Sequence, residues 1–177
     1  MATYERASKE TEKQVARVMK RYHSALEEAG VTVDVLMAYA RRDGNGDPVG
    51  AALKLAGYQC IGTIRIIGTK DRAAGRRDTE LLLDGDRFTE LSGEEQDSVI
   101  DHELTHLELK VGDDGLRHDD LGRPKLRLRL HDHQFGWFDE IVRKHARDSI
   151  ECQQFEHFME ASYKQLWLPF IEEGART

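Results

Sequence analysis

Apolar residues recur along the chain with two periods, and the alternation between them divides it into elements. Between residues 8 and 29, Val15, Val18, Met19, Tyr22 and Leu26 keep the i, i+3, i+4 spacing of one buried helical stripe. Ser8 is placed to cap the start of this helix and Gly30 to end it. Residues 31–39, "VTVDVLMAY", alternate instead: Val31, Val33, Val35, Met37 and Tyr39 share one face of a strand. Residues 41–50, "RRDGNGDPVG", are turn chemistry. Asp43, Asn45 and Asp47 alternate as in a calcium loop, but the twelve-residue pattern ending in glutamate is absent, so a plain turn is expected.

Further along, Val49, Ala52, Leu53 and Ala56 suit a short helix ending at Gly57. Residues 60–67 read as a strand rich in β-branched side chains. A long basic connection leads to a second short strand, "TELLLD", followed by an Asp-Gly turn at Asp84 and Gly85. Ser92 with Glu95 three residues on forms an S-x-x-E capping box, and the helix it opens is expected to run to about Val111–Gly112. Residues 113–125 read as a polar loop and 126–130, "LRLRL", as a strand. A further helix is expected from about Asp132 or His133, with Phe135, Phe138, Ile141 and Val142 on its apolar side. A last helix is expected over residues 149–172, with Phe155, Phe158, Met159, Leu166 and Phe170 buried. There is no repeat, linker or low-complexity tract, so residues 1–177 are expected to form a single domain.

Charge and cysteine usage narrow the function classes. The chain has 33 acidic and 26 basic side chains, for a net charge of −7, which weighs against non-specific binding of nucleic acid. The one basic cluster is "RAAGRR" at residues 72–77. The two cysteines, Cys60 and Cys152, are far apart and make neither a disulfide framework nor a thiolate zinc site. The polar N-terminus lacks the apolar core of a signal peptide, and no apolar run reaches membrane-spanning length. A cytoplasmic protein with no membrane association is expected.

The stretch "VIDHELTHLEL", residues 99–109, carries the chemistry. Residues four apart on a helix lie nearly above one another, so His102 and His106 can aim two imidazoles at one metal ion. Glu103 projects to one side, too far round to be the natural third ligand but within reach of a water on the metal. This is the mechanical content of H-E-x-x-H: two zinc ligands and a general base. Zinc brings the pKa of a bound water towards neutrality, and the carboxylate takes its proton as the water attacks a carbonyl. Val99, Ile100, Leu104 and Leu107 supply the apolar packing that would hold the ligands. A bland pair of solvated or core histidines is the alternative, and this context weighs against it. A catalytic zinc needs a third protein ligand and an open position. The downstream candidates are His118, His131, His133, His145 and His157. His131 is expected to take that place because it would be fixed at the end of a strand. Asp132 would cap the next helix or orient an imidazole, and His133, in the first helical turn, would face away and be available to substrate.

These segments resemble the putative phage metallopeptidases, a zincin group with some likeness to SprT-like proteases. The resemblance spans about residues 31–150. It rests most heavily on "DHELTHLEL", and further on "GTIRIIGTKDRAAGRRDTELLLDGDRF" and "LHDHQFGWFDEIVRKHA". It implies an H-E-x-x-H site completed by a downstream histidine: His102, Glu103 and His106 match directly, and the His-Asp pair matches His131 and Asp132. The expected fold is α+β and zincin-like, with a small, mostly antiparallel sheet packed on the motif helix and helices at both ends. The expected function is a peptidase holding one Zn²⁺ per chain and acting on a protein or peptide. Two other readings remain at this point. One is a zinc-stabilised binding or regulatory protein without turnover, which would have no need of Glu103. The other is a SprT-like protease of DNA-associated proteins, which would need a nucleic-acid surface that only residues 72–77 suggest.

Overall fold

A computed structural model describes residues 2–131 and, beyond them, Val142, Arg143, Arg147, Cys152, Phe155, Glu156, Met159 and Glu160. The chain divides into two compact units, Met1–Leu130 and His131–Thr177. The helices expected from about residue 132 and over 149–172 lie largely outside the described residues.

The first unit is mixed α and β. In chain order it contains β1 (Thr3–Arg6), α1 (Lys9–Tyr22), α2 (Ser24–Glu28), β2 (Val33–Tyr39), β3 (Lys54–Leu55), β4 (Tyr58–Gln59), β5 (Gly62–Ile66), α3 (Thr69–Ala73), β6 (Thr79–Asp84), α4 (Gly85–Phe88), α5 (Gly93–Thr105), β7 (Leu107–Leu109), β8 (Val111–Gly112), β9 (Gly115–Leu116) and β10 (Leu126–Leu128). Four strands form one sheet in the order β1-β2-β6-β5. Its central pair, β2 and β6, is parallel, while β1 and β5 join antiparallel at the two edges. The sheet is therefore mixed, because the connection from β2 to β6 crosses over through β5 and α3.

Strand alternation separates the two faces of the sheet. Val33, Val35 and Met37 of β2, Leu81 and Leu83 of β6 and Ile64 of β5 join a buried cluster with Val15, Val18 and Met19 of α1 and Ile100 and Leu104 of α5. Both long helices thus cover one face. The opposite face is charged: Arg65 holds Glu80 at 2.6 Å, Arg76 reaches both Glu80 and Asp34, and Arg6 lies 3.6 Å from Asp34.

Several expectations need correction. The helix over residues 8–29 is two helices broken at His23, whose Nε2 pairs with Asp101 of α5 at 2.7 Å; that tertiary contact interrupts a pattern that is continuous in the sequence. Residues 54–59 form a hairpin, not a helix. Ala56 (φ 49°) and Gly57 (φ 87°) both take the left-handed conformation of a two-residue turn. Asp84 and Gly85 open α4 and do not make a turn: the Asp84 carboxylate accepts from the Arg87 N–H at 3.2 Å. β1 pairs with every side chain exposed, so no hydrophobic period announces it. The polar loop after β7 contains the β8–β9 hairpin. Most important for the site, α5 ends at Thr105, six residues or more before the expected boundary, and His106 is its C-cap.

The basic segment at residues 72–77 is structural. Arg72 is buried between Asp78 (2.5 Å) and Asp119 (2.9 Å). Arg76 pairs with Glu80, and Arg77 donates to the Val33 carbonyl at 2.5 Å. These arginines bind the loop at residues 117–125 and the charged sheet face together. The feature that suggested a nucleic-acid surface is spent on internal partners.

Candidate metal centre

The motif helix α5 is fixed before its chemistry begins. The Ser92 Oγ accepts from the Glu95 N–H at 3.3 Å, and the Glu95 carboxylate accepts from the Ser92 N–H at 2.8 Å, which is the expected capping box. Ile100 and Leu104 are fully buried in the core. On the solvent side, both Asp97 oxygens accept from one terminal nitrogen of Arg17 (2.7 Å to each), and one also accepts from Gln14. Asp101 holds His23.

The last turn of α5 faces β5. Glu103 is buried, and its side chain lies over Gly62: a Cβ at that glycine would fall 3.0 Å from Glu103 Cγ and 3.1 Å from Oε1. A side chain at Gly62 would press on the carboxylate, which would have to shift by a few tenths of an ångström. Burial pushes the Glu103 pKa above the usual carboxylate range. The neighbouring His106 ring and a hydrogen bond from the Ile64 backbone oppose this only in part. A carboxyl raised in this way is a better proton acceptor than an ordinary solvated one.

His106 caps the helix and turns the chain into β7. Its Nδ1 lies 2.7 Å from the Arg129 carbonyl oxygen, which can only accept, so this nitrogen carries the proton and Nε2 presents the lone pair. The Arg129 N–H in turn donates to the His106 carbonyl at 2.8 Å. This main-chain bond continues the antiparallel β7–β10 ladder, in which Leu128 faces Leu107, so Arg129 falls opposite His106 and its carbonyl within reach of the ring. This register carries the chain back to the end of α5, and His131 follows two residues later.

His102, His106 and His131 offer ring nitrogens that all lie within 4.8 Å of one another. The His102 and His106 rings meet edge to face with centroids 5.1 Å apart. Three imidazoles suit a divalent transition metal, and tetrahedral zinc with Zn–N near 2.1 Å would need nitrogens roughly 3.4 Å apart. Three histidine nitrogens grouped this closely match the donor types such an ion takes. His118 is not in this group; its backbone bridges to Pro124 in the loop. Asp132, His133, His145 and His157 lie outside the described residues.

The sequence reading missed three contributors, namely Gly62, the Ile64 N–H and the Arg129 carbonyl. It also passed over Cys60, which lines a cavity of about 320 Å³ with Ile61, Gly62, Ser98, Val99, His102 and Glu103. Burial, then the nearby charges of Glu103 and Asp84, push the Cys60 thiol pKa up, so it is held in its neutral form. A glycine opening a β-branched run was the only available signal for this wall of the site. Two backbone groups leave no mark in a sequence at all.

Among the described residues no helix is long and apolar enough to cross a membrane. No curated protein and no solved structure matches the chain. A family model does match, over residues 2–164, and so takes in the N-terminal strand and helices that the resemblance over 31–150 left out. By that match the chain belongs to the family described as putative phage metallopeptidase.

Proposed function

We propose that this chain is a zinc-dependent peptidase that hydrolyses peptide bonds of a protein or peptide substrate, with residues 1–177 acting as one zincin-like metallopeptidase domain. The observation that carries the reading is the grouping of His102, His106 and His131 beside the buried Glu103. In the proposal the three histidines hold one Zn²⁺ per chain through neutral imidazoles. When bound, the ion supplies Lewis acidity and makes water a nucleophile near neutral pH. Glu103 takes the proton of the attacking water and passes it to the leaving amine. Its burial over Gly62 keeps the carboxylate in one orientation, and the Arg129 carbonyl keeps the His106 ring in one tautomer. Asp132 and His133 are proposed to orient a ligand and to contact substrate, respectively.

The reading without turnover remains the alternative, and the buried glutamate argues against it. A site that only braces the fold gains nothing from a carboxylate whose desolvation costs free energy. The test is metal analysis of the purified chain combined with a proteome-derived peptide library, with and without chelator. Zinc near one equivalent and chelator-sensitive cleavage are expected. Zinc with no cleavage of any peptide would leave the alternative standing, and absence of zinc would remove both.

A further inference from the structure

We propose that a ring of three cationic residues beside the metal centre, Lys110, Arg117 and Lys125, is a docking site for an acidic segment of the polypeptide substrate; this rests on the peptidase reading above. The three are far apart in sequence but joined by a closed cycle of main-chain hydrogen bonds. The Lys110 N–H donates to the Lys125 carbonyl (2.8 Å), the Lys125 N–H to the Arg117 carbonyl (2.8 Å) and the Arg117 N–H to the Lys110 carbonyl (2.9 Å). Residues paired in this way have Cα atoms roughly 5 Å apart. All three side chains are exposed, and among the described residues no carboxylate pairs with any of them. Like charges at such neighbouring positions destabilise a ladder. A chain with 33 acidic side chains has nevertheless placed three cations together here, with no acidic partner among the described residues. The nearest acid on this ladder, Glu108, is held by Arg127 at 2.7 Å.

The surface is also shaped. Lys110, Arg117 and Arg127 line an open concavity of about 430 Å³ together with Leu109 and Val111. The Arg117 guanidinium lies over Gly112, where a Cβ would come 2.6 Å from its Nε, so the missing side chain makes room for the cation there. The same β7–β10 ladder ends at the His106–Arg129 pairing. From Lys125 to Arg129 an extended strand covers roughly 13 Å, about four residues of an extended peptide. A substrate lying across the metal centre would therefore reach the ring with side chains about four residues from the bond being cut. The patch spans only two or three carboxylates, and the rest of the chain is net acidic, so an acidic peptide fits it better than a long nucleic acid.

The test uses the zinc-loaded full chain and fluorescein-labelled hexaglutamate, with hexalysine and 20-nucleotide single- and double-stranded DNA as comparison probes. Hexaglutamate is expected to bind at low salt and to weaken as salt rises. The variant Lys110→Gln/Arg117→Gln/Lys125→Gln is expected to bind it roughly tenfold more weakly, since each exposed charge contact contributes modestly. Its melting temperature should hold or rise as repulsion is relieved. Gly112→Ala, which displaces only Arg117, should weaken binding by a smaller factor. Peptide-library cleavage should show acidic residues enriched about four positions to one side of the cut, and the triple variant should lose this enrichment while still cleaving neutral peptides. Hexaglutamate affinity unchanged in the triple variant overturns the inference, as does DNA binding more tightly than hexaglutamate through the same three residues. Loss of the acidic preference with turnover retained leaves the peptidase reading intact. Binding through the ring with no chelator-sensitive turnover on any peptide overturns the peptidase reading, and with it the assignment of the docked segment to a substrate.

Discussion

The first two turns of α5 and its last turn are held by different kinds of group. Ser92, Glu95 and Asp97 anchor the start through side chains at the surface, to one another or to Arg17 and Gln14. The end, with Glu103 and His106, is held by backbone: the Ile64 N–H, the Arg129 carbonyl and the bare Cα of Gly62. Surface side-chain anchors add stability in small exposed increments. Backbone anchors on buried or half-buried groups set orientation, and orientation is what a reaction needs. Changes at the start of α5 should therefore cost stability and spare chemistry, and changes at its end should do the reverse.

The largest expected effect breaks the chemistry alone. Glu103→Gln keeps the size of the side chain but cannot accept the proton, so turnover should fall on the order of 10²- to 10⁴-fold. Zinc content and melting temperature, measured on the same preparation, should stay at wild-type values. Wild-type turnover in this variant would remove Glu103 from its proposed role. Next, His131→Ala should weaken zinc affinity by roughly a hundredfold or more in competition with a chromophoric chelator, whereas His118→Ala should leave it unchanged. Equal affinities in the two variants would show that the His131 nitrogen contributes nothing to binding.

Gly62→Ala sharpens the contrast, because it alters no ionisable group and no ligand. The added methyl must push Glu103 aside by a few tenths of an ångström, and turnover should fall roughly tenfold with zinc retained. At the other end of the helix, Ser92→Ala should cost about 1 kcal/mol in denaturant unfolding with turnover unchanged. A fall in turnover there would mean that the two halves of α5 are coupled and that the surface anchors also set the site.

Acidification gives the smallest effect. Bonds from the Ser92 N–H and Oγ hold the Glu95 pKa below the ordinary carboxylate range. For Asp97, burial raises the pKa but the bonds from Gln14 and Arg17 outweigh it, so it too lies low. Groups with lowered folded-state pKa contribute stability that is complete above the unfolded value and is lost as pH falls through the folded one. The stability difference between wild type and Ser92→Ala should therefore narrow from about pH 5 downward. A difference that stays constant to pH 3 would show that the bond from the Ser92 Oγ to the Glu95 carboxylate contributes nothing, since the bond from the Ser92 N–H is kept in the variant.

Local patterns in the sequence were enough for β2, β5 and β6, for the capping box at Ser92 and for the buried side of α5 at Ile100 and Leu104. Each depends on residues within a few positions of one another, whose period or side-chain chemistry is written in the order of the chain. The spacing of His102, Glu103 and His106 was legible for the same reason. The end of α5 was not. The apolar period continues through Leu107 and Leu109, and only pairing with β10 turns those residues from helix into strand. That pairing also places the Arg129 carbonyl on His106 and gathers Lys110, Arg117 and Lys125 into one ring, whereas the cluster that stood out in the sequence, residues 72–77, is consumed by Asp78, Asp34 and Glu80. Sequence order fixes which side chains exist and what each local segment prefers. Strand register decides which distant backbone groups they meet, because any residue type can supply an N–H or a carbonyl and such a partner has no signature in the sequence.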